Sequence, residues 1–178
     1  MKKTIIIIVL VILAIGGYFY FKQPHYAKLD QRVVVLGFDG MDAVLAEKYM
    51  SEGKLPNLAA LAKEGTYSRL STTNPAESPV SWASFITGSN PGKHGIFDFL
   101  SRDPKTYMPD LALVTPVFPQ KFLPFGKYKI PLEKPKAINH RGGTPIWEIT
   151  KEHNIHTMAL HVPDTFPAEE LSGEMLSG

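Results

Sequence analysis

The chain opens on a run of apolar residues, 4–21, that contains no charge, and the alternation that follows is of a different kind. At about 1.5 Å per residue, that run as a helix is about 27 Å long, enough to cross a thin or average hydrocarbon core. Lys2 and Lys3 precede it, and Tyr18, Phe19, Tyr20 and Phe21 form an aromatic belt before Lys22. An uncleaved signal anchor over 1–22 fits this length and these flanks better than a cleaved signal peptide, whose apolar region is shorter and ends in small residues. Either way the lysines stay in the cytoplasm and the rest lies outside it: a single-pass protein, or a secreted or periplasmic one if cleavage occurs. Residues 23–31 read as a polar linker.

From residue 32 the pattern alternates between strands and helices. Residues 32–38 are β-branched and continuously apolar, as a strand covered on both faces is. Helical periodicity follows over 43–50 and 55–64, with Asn57 as a cap and Gly65 at the end. Residues 67–70 read as a strand and 78–87 as a helix opened by Ser78 and Pro79 and closed by Gly88. A short helix over 145–152 and an apolar strand over 155–162 complete the series. Such alternation predicts an α/β domain with a largely parallel sheet over 32–178. Between 103 and 136 prolines fall at positions 104, 109, 116, 119, 124, 131 and 135. That density predicts neither regular helix nor much ladder pairing. The segment is read as an insertion over the sheet, equally a substrate-facing lid or a plain surface excursion.

Composition narrows the chemistry. The chain has 178 residues, 44% hydrophobic and 20% charged, with a formal charge of +2. Three of the positive charges flank the first apolar run, so nothing suggests a nucleic-acid groove. There is no cysteine, which excludes disulfides, thiolate catalysis, thiolate metal sites and a lipid-modified cysteine anchor. Any metal must be held by Asp, Glu, His or hydroxyl oxygen.

Two residues stand out. Asp39 ends the first strand, where open α/β sheets bind ligands, although Asp before Gly is also ordinary turn chemistry. Asp42 reads as the cap of the next helix. Ser78 precedes a proline at a helix start, facing free N–H groups and the positive end of the dipole, where anions bind. On capping preference alone, Ser78 is a cap and nothing more.

The surrounding residues change that weighting. The string Gly37-Phe38-Asp39-Gly40-Met41-Asp42, followed by Ser78-Pro79-Val80-Ser81-Trp82 and by Thr87-Gly88-Ser89-Asn90-Pro91-Gly92-Lys93-His94-Gly95-Ile96, resembles the type I phosphodiesterase / nucleotide pyrophosphatase family of the alkaline phosphatase superfamily. The stretch Thr144-Pro145-Ile146-Trp147 and the stretch His161-Val162-Pro163-Asp164-Thr165-Phe166-Pro167 resemble it too. The resemblance implies an α/β/α sandwich with two zinc ions at the strand ends. Asp39 matches the metal-binding aspartate, and Ser78 matches the nucleophilic hydroxyl, which also ligates metal. That hydroxyl attacks phosphorus and forms a covalent phospho-serine that water hydrolyses. The sulfatase branch needs the pattern Cys/Ser-x-Pro-x-Arg, and Ser78-Pro79-Val80-Ser81-Trp82 has no such arginine.

By the same resemblance His94 is structural; of the other residues, Lys93 reads as solvated, His140 and Arg141 as reaching a phosphate or as loop residues, Asp164 as a minor candidate at a strand end, and Trp82 as core. The resemblance also implies metal ligands beyond Gly178, so the chain is expected to stop before its metal site is complete. The partners implied are a phosphate-ester small molecule or a lipid or glycan head group, plus a membrane through residues 1–22. Two alternatives remain: a membrane-tethered anion-binding module without catalysis, and a phosphotransferase on the same fold.

Overall fold

The computed structural model describes residues 2–21 and 26–178. Lys2–Phe21 forms helix α1. Among the described residues no helix is long and apolar enough to cross a membrane. The side chains described in α1 are those of residues 9–18, so the span expected over 4–21 lies partly outside them. The linker expected over 23–31 likewise lies outside the described residues at 23–25. Its other end is tethered: the Ala27 amide donates to the Asn154 carbonyl at 2.7 Å, and the Tyr26 ring meets His156 edge-on at 4.6 Å.

The helices form where local signals asked for them. Helix α2, Ala43–Ser51, is capped by Asp42, whose carboxylate accepts the Leu45 amide at 2.7 Å. Helix α3 is Pro56–Glu64. Its N-cap is Leu55 without a side-chain bond, not the expected Asn57, because Pro56 takes the first turn, where a missing N–H costs nothing. Helix α4, Ser78–Thr87, buries Pro79, Val80, Ala83 and Ile86, a spacing of three to four residues that makes one continuous apolar stripe. Gly88 ends it at φ +61, a left-handed conformation that glycine adopts without a Cβ penalty. A single turn, α5 at Pro91–His94, follows, capped by the Asn90 side chain. The core is built on the inner stripe of α4 together with Ile96, Trp147 and the buried His94 and Thr165.

Among the described residues the expected largely parallel sheet is absent. Four separate two-stranded ladders stand in its place. Strands β1 (Leu100–Arg102) and β2 (Pro109–Leu111) pair antiparallel, as do β3 (Val114–Val117) and β6 (Lys136–Asn139). Between the latter two, β4 (Phe122–Phe125) and β5 (Tyr128–Pro131) form a hairpin. After helix α6, Ile146–Glu152, strand β7 (Thr157–Val162) pairs parallel with β8 (Gly173–Ser177).

These ladders correct the reading of the proline-rich segment. Pro109, Pro116, Pro124 and Pro131 all sit in strands. A two-stranded ribbon consists of two edges, and a proline nitrogen facing outward removes no ladder bond. The strands expected over 32–38 and 67–70 are corrected in the opposite sense. Both segments are unpaired among the described residues, and Val33 is 87% and Leu70 95% exposed. Their β-branched pattern is that of a strand, but a strand exists only where a neighbour supplies the ladder. What holds 67–70 is Glu47, which accepts from the Tyr67 hydroxyl at 3.2 Å and from Arg69 Nε at 2.7 Å.

Candidate functional site

The two residues singled out in the sequence are brought together. Asp39 lies in the turn after residues 32–38, with Gly40 at φ +64. Ser78 is the first residue of α4, and Glu77 takes the N-cap position expected for the serine. Glu77 makes no side-chain bond to the helix end, and the Ser78 hydroxyl is bonded elsewhere. It donates to Asp39 Oδ1 at 2.9 Å.

A glycine makes this approach possible. A Cβ at Gly37 would lie 2.3 Å from Trp82 Cη2 and 3.0 Å from Trp82 Cζ3. The indole of Trp82 therefore rests directly on the backbone two residues before Asp39. Trp82 stands one helical turn after Ser78, on the same helix face. The ring and the hydroxyl hold the Asp39 segment at two points. Trp82 is half-buried and edge-on to Phe85 at 6.0 Å, so it packs against its neighbours without being one of the buried core residues expected of it.

Hydroxyls fix the near flank. Thr73 Oγ1 lies 2.9 Å from Ser81 Oγ and donates to the Pro75 carbonyl at 2.8 Å. The loop preceding α4 is thereby tied to the helix one turn below Ser78.

His94 secures the other side of α4. It is fully buried. The Ile96 amide donates to Nδ1 at 3.2 Å, so that nitrogen carries no proton. Nε2 then bears the hydrogen and donates to Ser84 Oγ at 2.9 Å. Burial, and then the nearby Arg141 guanidinium, push the imidazole pKa below its usual value. A neutral, fully bonded histidine in this setting is a structural one.

The remaining candidates go elsewhere. His140 bonds Thr115 Oγ1 through Nε2 at 2.8 Å, joining the end of β6 to β3. Arg141 does not reach toward Ser78. Its side chain is 3% exposed and pairs with Glu169, which also accepts the Trp147 indole N–H at 2.8 Å. Asp164 sits just past the end of β7 at φ +63 and is 8% exposed. Burial raises its pKa to about 6, with Arg141 opposing the shift and Glu169 adding to it. Neither of its carboxylate oxygens, nor Arg141 Nε or Nη1, has a hydrogen-bond partner among the described residues. This buried cluster was not legible in the sequence. Only the position of Asp164 at a strand end hinted at it, and nothing marked Glu169.

Over residues 33–172 the chain matches the family of type I phosphodiesterases / nucleotide pyrophosphatases. The chain belongs to that family. The matched stretch contains Asp39, Gly37, Trp82, Ser78 and His94. No curated protein and no solved structure matches it. Membership carries phosphodiesterase or nucleotide-pyrophosphatase-type hydrolysis at the level of the family, which is typically metal-dependent.

The donor set can be weighed against a zinc pair. Among the described residues no three His, Cys, Asp or Glu side chains converge on one point. Asp39 and Ser78 offer two oxygen donors, whereas a single zinc takes three or four protein ligands. These residues do not complete a two-zinc site.

Proposed function

We propose that this protein hydrolyses a phosphoric ester, a phosphodiester or nucleotide pyrophosphate, through a covalent intermediate on Ser78. The observation that carries the reading is the 2.9 Å hydrogen bond from Ser78 Oγ to Asp39 Oδ1. A carboxylate in that place orients the hydroxyl and accepts its proton as oxygen attacks phosphorus. The new Oγ–P bond forms as the bond from phosphorus to the leaving oxygen breaks, and the leaving oxygen takes a proton from water. A second water then attacks phosphorus as the Oγ–P bond breaks, releasing a phosphate monoester, and Asp39 returns its proton to the serine oxygen. Phosphoryl oxygens would meet the amides at the start of α4, which no capping side chain occupies.

Asp39 and Ser78 are the residues that would join a divalent metal pair, zinc in the first instance, which would polarise the phosphoryl group. With two oxygen donors in hand, the 178-residue chain alone should turn over weakly or not at all. The reading further places the chain on a membrane as a single-pass protein with its catalytic domain outside the cytoplasm. The support is the pair Lys2 and Lys3 ahead of the uncharged run 4–21.

The test does not require turnover. A fluorophosphonate should phosphonylate Ser78 in preference to the other serines, read by peptide mass spectrometry. Asp39→Asn should slow that labelling by about 10²-fold, the scale of a lost general base. Labelling spread evenly over surface serines, or indifferent to Asp39→Asn, would sink the reading.

A further inference from the structure

The hairpin of β4 and β5 carries an apolar face that nothing covers. Its cross-strand partners are Leu123 with Ile130 and Phe125 with Tyr128. Residues two apart in a strand share a face, and so do their direct partners. Leu123, Phe125, Tyr128 and Ile130 therefore line one side, and all four are exposed. Neither strand packs extensively against another element. An isolated two-stranded ribbon is marginal in water, so this one gains from whatever covers it.

The charge around that face is one-sided. Lys121, Lys127, Lys134 and Lys136 lie in the hairpin turn or its flanking sequence, Lys129 stands opposite Pro124 on the other face, and Glu133 is the lone acid between positions 121 and 136. Lys121 pairs with Glu133 at 3.4 Å, and Lys127 lies over the Tyr128 ring at 5.4 Å. Protein interface cores are depleted in lysine. Aromatic residues beside lysines are instead the composition of membrane interfaces, where rings enter the acyl boundary and ammonium groups remain among headgroups. The same chain opens on an uncharged apolar run, 4–21, of bilayer length.

We propose that the β4–β5 hairpin docks on an anionic lipid surface, with Leu123, Phe125, Tyr128 and Ile130 inserted and the lysines on the headgroups. The inference stands on the hairpin alone and does not depend on the role of Ser78.

The absence of cysteine allows one clean probe. The full chain carrying Phe125→Cys, labelled with an environment-sensitive fluorophore, is reconstituted in vesicles doped with brominated lipid. Phosphatidylcholine alone is compared with phosphatidylcholine mixed with phosphatidylserine. Lys63→Cys on the exposed side of α3 is the control. The label at 125 should be quenched in the anionic vesicles and little affected in the neutral ones, and the label at 63 should be quenched in neither. Replacing Lys127, Lys134 and Lys136 by Gln should weaken the contact roughly fivefold per lysine. If that variant does not fold, raising salt on the unmodified lysine set should abolish the quenching in the same way. The proposal is overturned if the label at 125 stays unquenched, or is quenched equally in both lipids. It is also overturned if the fluorescence shifts without lipid and with protein concentration, which would mark a protein partner instead.

Discussion

At the scale of single residues, two contacts decide how the site is held. Gly37 is required by the Trp82 ring, because a methyl group there would sit 2.3 Å from Cη2. Gly37→Ala should push the Asp39 segment off α4, costing about 1–3 kcal/mol as overpacking does and slowing phosphonylation of Ser78. A second change, Trp82→Leu, should restore part of both, and a cycle without coupling would disprove the contact. Asp164 and His94 set opposing pH dependences. The Asp164 pKa is raised in the folded state from 3.8 to about 6, so the fold favours the protonated acid. Its contribution is fully present below pH 4 and is lost as pH rises through 6. At neutral pH the charged carboxylate costs about 3 kcal/mol, an upper figure from 1.36 kcal/mol per unit. Asp164→Asn should therefore stabilise the protein at pH 7 and leave it unchanged or weaker at pH 4. The His94 pKa is lowered, so its stabilisation is present above the free histidine value and fades as pH falls below it. In the Asn variant, urea midpoints measured from pH 8 to 4 should fall with acid, the His94 trend no longer offset by Asp164. A flat profile would contradict the burial assigned to both groups. Of these residues, Asp39 and Ser78 could be read from the sequence because their neighbours resemble a family. Gly37 against Trp82, and Arg141 with Glu169, could not, since each is a contact between distant segments that no local pattern encodes.

At the scale of elements, helices were legible and, apart from the strand expected over 155–162 and found as β7, ladders were not, for one physical reason. The cap at Asp42, the prolines opening α3 and α4, and Gly88 closing α4 are all local signals, satisfied within a turn of where they stand. A strand depends on a partner elsewhere in the chain. Residues 32–38 have the apolar run of a buried strand yet remain unpaired, while the proline-rich ribbons pair because their outward edges tolerate a missing N–H. The consequence is testable by excision. Replacing residues 121–132 with two glycines removes β4 and β5, which pack extensively on no other element. The thermal midpoint should move by no more than a few degrees. By contrast Ala83→Leu, on the fully buried stripe of α4, should cost about 1–3 kcal/mol. Equal losses in calorimetry would show that the hairpin belongs to the core.

At the scale of the whole molecule, the protein keeps a packed centre beside a bare strand-like flank. The centre is α4 with His94, Ile96 and Trp147, and its stability is that of buried side chains with satisfied polar groups. The flank is residues 33–38 and Leu70, whose apolar side chains face solvent and whose amides have no backbone partner among the described residues. Backbone groups left to water exchange their hydrogens freely, whereas amides in the centre must wait for opening. In the monomer, Val33, Val34, Val35 and Leu36 should exchange at nearly the rate of an unstructured peptide. The Gly88 amide, bonded to Ser84, and the Gly142 amide, bonded to His94, should be protected. An unpaired apolar strand is also a template for pairing with another chain, so raising the protein concentration should slow exchange at 33–36 before any other segment. Val34→Lys with Leu36→Lys should abolish that concentration dependence through like-charge repulsion, while Ser78 remains reactive because Trp82 still holds Gly37. Slow exchange at 33–36 in dilute monomer would mean that these residues already lie in a ladder, and the division between packed centre and open flank would fail.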